Sequence, residues 1–168
     1  AYRLIRGWEV SAEVAQSEHS KLAAEWFDNK LSQTIETVDE HFSKFRLSDA
    51  LMTLYKFFWD DFCAWYLEVI KPEYGKPIDK VTYDATIVFF EKLLRLLHPI
   101  MPFITEELWQ NIEERKDGET IMLQPMPKAG EYSVETIHAF EQGVGAIASI
   151  RNIRQSKGLS PKEALTLQ

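Results

Sequence analysis

Along the first third of the chain the apolar residues Phe27, Leu31, Ile35, Val38, Phe42 and Phe45 recur at steps of four, four, three, four and three, with polar residues between them. That spacing predicts a long amphipathic helix. Ser17 or Ser20 can cap its start, where the acidic Glu18 meets the positive end of the helix dipole. Leu22 and Trp26 fall outside this stripe. At 100° per residue Trp26 lies about 140° from the stripe's centre, so it requires a partner of its own.

The next segment, SDALMTLYKFFWDDFCAWYLEVIKP, offers Ser48 as N-cap and Asp49 in the first turn, and must stop before Pro72. Leu51, Leu54, Tyr55, Phe58, Phe62, Trp65, Tyr66 and Val69 form one stripe, flanked by Met52, Trp59, Cys63 and Ile70. So wide an apolar face predicts packing on two sides, as in a helical bundle. Phe57 stands outside both rows, beside Lys56 and Asp60.

A turn-rich KPEYGKP connects to a third helix ending in EKLLRLLHP. Pro99 cannot continue that helix and disfavours helical geometry at His98. Pro102 then suits the first turn of a short fourth helix carrying Glu106 and Glu107. His98 with the two glutamates could form an acid/base or metal set, but no second histidine or cysteine has metal-ligand spacing, and adjacent helical residues project about 100° apart. The stretch reads as a helix-to-helix corner. Thr120 to Leu123 reads as a short strand edge stopped by Pro125. A last helix runs from Ser133, with Ile137, Phe140, Val144 and Ile147 on one face. Gly143, Gly145, Ala146 and Ala148 would admit another backbone, Gly158 suits a left-handed stop, and Pro161 follows. The expected fold is an all-α bundle with at most a short, minor β piece.

Composition narrows the classes. The chain has 168 residues, 45% of them hydrophobic, enough for one real core, and ten Phe, six Tyr and five Trp make that core aromatic. One cysteine, Cys63, excludes an internal disulfide and suits a reducing compartment, so a cytoplasmic location is expected. No apolar run approaches the roughly 18 residues of a membrane span. The formal net charge of −7 argues against a generally basic nucleic-acid binder. No phosphate loop, paired metal spacing or activated nucleophile is present, and His19, His41, His98 and His138 lie on separate segments.

Two local basic features remain. Arg151, Arg154 and Lys157 recur every third residue on the last helix, where they either form a solvated, dipole-complementing end or meet phosphates. Lys21 and Lys30 flank Trp26 and Asn29 on the first helix. An aromatic off the core stripe beside a cation can stack a base and contact phosphate, or it can dock against another part of the chain. Lys56 and Phe57 are weaker candidates of the same kind.

HPIMPFITEELWQNI, LYKFFWDDFCAWYLEVIKP and IRNIR, in that family's spacing, resemble the tRNA anticodon-binding domain of class I aminoacyl-tRNA synthetases, within them the valyl-tRNA synthetase branch. The resemblance spans nearly the whole chain. It implies a helical domain over residues 17–157, preceded over 1–16 by the end of an upstream helix and a linker and followed over 158–168 by the start of a truncated subdomain with a strand at 163–168. It further implies that the first helix, with Trp26 and Lys30, lies near the anticodon. The implied partners are the anticodon stem-loop of tRNA(Val) and an upstream catalytic domain of the same chain, in a monomer without membrane contact. ATP with magnesium would serve the longer enzyme, which esterifies tRNA with valine. The His-Ile-Gly-His and Lys-Met-Ser-Lys-Ser signatures of that chemistry do not occur here. The chain by itself is therefore expected to need no cofactor or metal and to have no aminoacylation activity. Trp26, Asn29, Lys30, Lys56, Phe57, Arg151 and Arg154 are the candidate RNA contacts. A helical protein-docking module, or the same domain from an isoleucine or leucine enzyme, is the alternative.

Overall fold

The computed structural model describes residues 1–159, and the expected strand at 163–168 and Pro161 lie outside them. α1 (Tyr2–Arg6) is followed by a two-residue strand β1 (Val10–Ser11), then the long α2 (Glu18–Ser43). Ser17 caps α2, its hydroxyl accepting the Ser20 N–H at 3.2 Å. Phe27, Leu31, Ile35 and Val38 are buried as their spacing predicts. The stripe then leaves the core. Phe42 is half-buried, and Phe45, at φ 57°, turns the chain outward with its ring 90% exposed.

α3 (Leu47–Lys56) begins one residue before the expected Ser48 cap, which sits in the first turn instead. Residues Phe57–Tyr66 continue as a π-helix before α4 (Leu67–Ile70). Leu67 N–H bonds to the Phe62 carbonyl, five residues back rather than four. This wider winding shifts the register beyond Phe57, where the next buried ring, Phe62, comes after a step of five. The buried row becomes Ala50, Leu54, Phe57, Phe62, Tyr66, Leu67 and Ile70. Leu51, Met52, Tyr55 and Trp59, expected on the apolar face, are exposed, while Phe57, expected outside it, is inside, because the α3 stripe runs through Ala50, Leu54 and Phe57 at ordinary helical steps of four and three.

β2 (Ile78–Asp79) pairs in parallel with β1, Val10 opposite Ile78 and Ser11 opposite Asp79. This is the minor β piece among the described residues. Asp79 then caps α5 (Lys80–Leu97), accepting the Thr82 N–H at 2.8 Å. α5 ends at Leu97 with His98 as its C-cap. His98 keeps helical dihedrals, φ −58° and ψ −40°, against the expectation that Pro99 would move it out of that region, and α6 (Pro102–Ile112) starts with its proline in the first turn. α1 docks on α6 through buried Ile5, with Tyr2 Oη and the Arg6 guanidinium both donating to the Asn111 carbonyl.

Ile121–Leu123 is a 3-10 turn, not a strand. Thr120 Oγ1 accepts the Met122 N–H and donates to Glu106, which also takes the Ile121 N–H, so these groups are committed to a turn rather than to a ladder. α7 (Val134–Lys157) is capped by Ser133 and ends at Gly158 in the left-handed region, φ 64°. Ile137 is buried and Phe140 packs against the core. Farther along, Gly143 and Gly145 face open space rather than a second backbone.

The core is built round Phe27. Its ring lies 5.0 Å from Phe57, 5.3 Å from Phe62, 4.7 Å from Tyr66 and 5.1 Å from Phe89, joining α2, the π-helix and α5. The buried Tyr66 hydroxyl bonds Thr86 Oγ1 at 2.9 Å, which donates onward to the Thr82 carbonyl. No helix among the described residues is long and apolar enough to cross a membrane.

Candidate nucleic-acid interface

Three sequence candidates, Trp26, Asn29 and Lys30, occupy one strip of α2 at the spacing of a second helix face. That strip is the seat of α7. The Trp26 ring is 2% exposed and stacks on Phe140 at 4.1 Å with an interplanar angle of 12°. Asn29 Oδ1 accepts the N–H of Ser133, the α7 cap, at 2.6 Å, while its Nδ2 donates to the Glu25 carbonyl. Lys30 Nζ pairs with Glu141 at 2.6 Å. Of the two roles open to Trp26, docking within the chain is the one this arrangement displays. Phe57 is likewise closed to a base, stacked on Phe27 and 2% exposed. Asn29 and Lys30, three and four residues after Trp26, mark a second helix face in the sequence but not what covers it.

Lys30, Lys56 and Phe57 do come together, in a polar cleft of about 240 Å3 between α2 and the α3 to π-helix junction. Gln33, Thr34, Thr37, Thr53 and Asp61 complete its lining. Thr34 and Thr37 donate their hydroxyl protons to backbone carbonyls four residues back, which leaves their oxygens free to accept from an incoming N–H. Lys56 is exposed at the rim. Asp61, absent from the sequence candidates, has its carboxyl pushed up to about 6 by burial, reinforced by the nearby charges of Glu141 and Asp60 and opposed by Lys30. Its acidity reflects residues from three elements, which no local pattern reveals.

Arg151 and Arg154 lie apart from this cleft, in the last two turns of α7. The exposed Arg151 guanidinium sits 5.5 Å over the Trp65 ring, a cation–π contact that steadies the side chain. Trp65 also lines an apolar groove of about 560 Å3 with Trp26, Val69, Phe140, Val144 and Ile147. Cys63 is a half-buried free thiol whose pKa is raised by burial, the opposite of an activated nucleophile.

The His98 corner is architectural. His98 Nδ1 and Thr105 Oγ1 are hydrogen-bonded at 2.7 Å across the turn. Glu106 accepts from the Thr120 hydroxyl at 2.6 Å, Gln110 Nε2 at 2.8 Å and the Ile121 N–H at 3.2 Å, tying the 3-10 turn to α6. Among the described residues no three acidic, histidine or cysteine side chains are grouped to hold a metal. Burial would raise the Glu106 pKa, but these three hydrogen bonds and the charge of His98 outweigh it and hold the carboxyl below its ordinary 4.5. A depressed carboxylate stabilises the fold above its unfolded pKa and loses that contribution as pH falls through the folded value. Glu106→Gln is therefore expected to cost about 1 kcal/mol near neutral pH, discounted for partial solvent contact, and nothing in strong acid. Glu107→Gln, on an exposed residue, is the control expected to change little. Urea unfolding of both variants at neutral and acidic pH checks this.

A family model described as the anticodon-binding domain of tRNA ligase matches residues 24–168. The chain is 51% identical to a valine–tRNA ligase of Parabacteroides distasonis and 52% to one of Phocaeicola vulgatus, each over 168 residues, covering 100% of the chain and 19% of the relative. A valine–tRNA ligase of Fusobacterium nucleatum is 38% identical over 165 residues, covering 94% of the chain and 18% of the relative. The chain thus spans about a fifth of the length of these relatives.

Proposed function

The chain belongs to the family of anticodon-binding domains of tRNA ligases, and from that premise we propose that it recognises the anticodon stem and loop of a valine tRNA as one part of a valine–tRNA ligase. The observation that carries this reading is identity of about half the residues with valine–tRNA ligases along the entire chain. The longer protein would activate valine with ATP and magnesium and esterify the tRNA, in the cytoplasm and as a monomer. None of that chemistry falls to the residues described above.

Within the domain, Lys56 at the rim of the polar cleft and Arg151 and Arg154 on α7 are the proposed phosphate contacts, with Lys30 at the cleft's inner end. Trp26, Asn29 and Phe57 act indirectly. They hold α7 and the π-helix in place so that those cations keep their positions. With a net charge of −7, binding depends on local cations rather than on the overall field.

Titration of the chain with tRNA for valine and with a non-cognate tRNA, at low and moderate salt, tests the reading. The cognate tRNA should bind tighter, and both affinities should fall with salt. Lys56→Ala should weaken both and lower the salt slope by about 1, as expected for one lost phosphate contact. Equal binding of the two tRNAs would sink the recognition claim. Because the groove beside Trp65 is almost wholly apolar, a protein-docking role is the second reading, favoured if neither tRNA binds.

A further inference from the structure

The KPEYGKP connection leading into β2 forms a tight turn whose purpose the core does not explain. Lys76 N–H bonds to the Glu73 carbonyl at 2.9 Å, and Gly75 takes φ 75°, a conformation that suits glycine at the third position of a tight turn. Pro72 and Pro77 flank it, and the β1–β2 pair, with Ile78 N–H donating to the Glu9 carbonyl at 2.8 Å, fastens its far end. At the tip stands Tyr74, 106% exposed. A large aromatic held fully in water on a stiffened turn adds nothing to folding stability.

Tyr74 lines a groove of about 620 Å3. The facing wall carries Leu4, Gly7, Trp8 and Glu9 from the α1 to β1 segment, and Lys71 and Lys76 stand on the turn's own side. The lysines pair with Glu68 and Glu73, each at 2.5 Å but well exposed, and such surface pairs are weak enough for a phosphate to compete. Glu9 makes no ion pair among the described residues, although its backbone is clamped to Ile78. The groove therefore combines aromatic surface, two cations at the edge and a carboxylate acceptor.

We propose that this groove seats an unpaired nucleotide of the RNA loop, with its base stacked on Tyr74, its phosphate near Lys71 or Lys76, and an exocyclic amino group donating to Glu9. Stacking on an exposed tyrosine accepts any base. A carboxylate, which only accepts, selects bases that carry an exocyclic amino donor, namely adenine, cytosine or guanine, over uracil, whose exocyclic groups are both carbonyls. The inference rests on the RNA-binding reading above and adds to it a separate surface, on the turn between α4 and β2.

The test uses the 168-residue chain and an anticodon stem-loop RNA of a valine tRNA at low salt, read by fluorescence anisotropy of labelled RNA. Tyr74→Ala should raise Kd about tenfold, and Tyr74→Phe should retain near-normal binding, since stacking needs the ring and not the hydroxyl. Both should unfold at the parent temperature because the side chain is solvent-exposed. Replacing a loop cytosine by uracil, or a loop adenine by purine riboside, should weaken the parent, and for one such position Glu9→Ala should abolish that difference. If Tyr74→Ala binds like the parent while Lys56→Ala binds more weakly, the groove proposal is overturned and the RNA-binding reading stands. If the parent binds no RNA, both are overturned.

Discussion

Phe27→Ala should lower the unfolding free energy by about 3–5 kcal/mol, the largest single loss expected in this domain. The ring is 0% exposed and touches Phe57, Phe62, Tyr66 and Phe89, so its removal opens a cavity where α2, the π-helix and α5 meet. Those neighbours belong to the π-helix and α5, and collapse round the gap would have to move both against α2. Interiors are packed too closely for that to proceed without strain. The contrasting control is Phe45→Ala, whose ring is 90% exposed and should cost little. Urea midpoints for the two variants give the comparison. Similar losses for both would mean that the aromatic centre does not dominate stability.

Asp61→Asn should act in the opposite direction, raising stability near pH 7 by about 2 kcal/mol. Burial, with Glu141 and Asp60 adding to it, lifts the folded carboxyl from 3.8 to about 6, against the attraction of Lys30. Between those two values the folded state keeps a proton that the unfolded state has released. Stability contributed by this group is therefore highest at the acidic end and falls as pH rises through about 6. Asparagine removes the charge and with it that slope. Denaturant titrations of parent and variant from about pH 4 to pH 8 should converge in acid and separate at neutral pH. Lower stability of the variant at neutral pH would mean that the attraction between Asp61 and Lys30 exceeds the cost of burying the charge.

Asp61 also shows where sequence reading stopped. Its neighbours Lys30 and Glu141 come from elements before and after the π-helix, and Lys30 and Glu141 are themselves 111 residues apart. Nothing in the immediate sequence of Asp61 signals that company. By contrast, the family resemblance was legible, because it is written in short motifs whose order and spacing survive without coordinates. The candidate site was legible only in part. The residue types at Trp26, Asn29 and Lys30 suit RNA and suit a helix interface equally, and only the position of Phe140, Ser133 and Glu141 distinguishes the two uses.

Local order was determined by the sequence alone. The Ser17 and Ser133 caps, the stop at His98 before Pro99, the restart at Pro102 and the left-handed Gly158 depend on backbone geometry and hydrogen bonds within four or five residues. So does the stripe from Phe27 to Val38. Tertiary structure alone decided which second faces are covered. It set Phe62, five residues beyond Phe57, in the core through a π-helical step that α-helical periodicity cannot anticipate, held Thr120 to Leu123 as a turn through the Glu106 carboxylate, and left Gly143 and Gly145 without a neighbour. The physical reason is one of range. Caps and turns are set by interactions between residues close in the chain, whereas burial of a ring or pairing of a charge depends on contacts that exist only after distant helices have met.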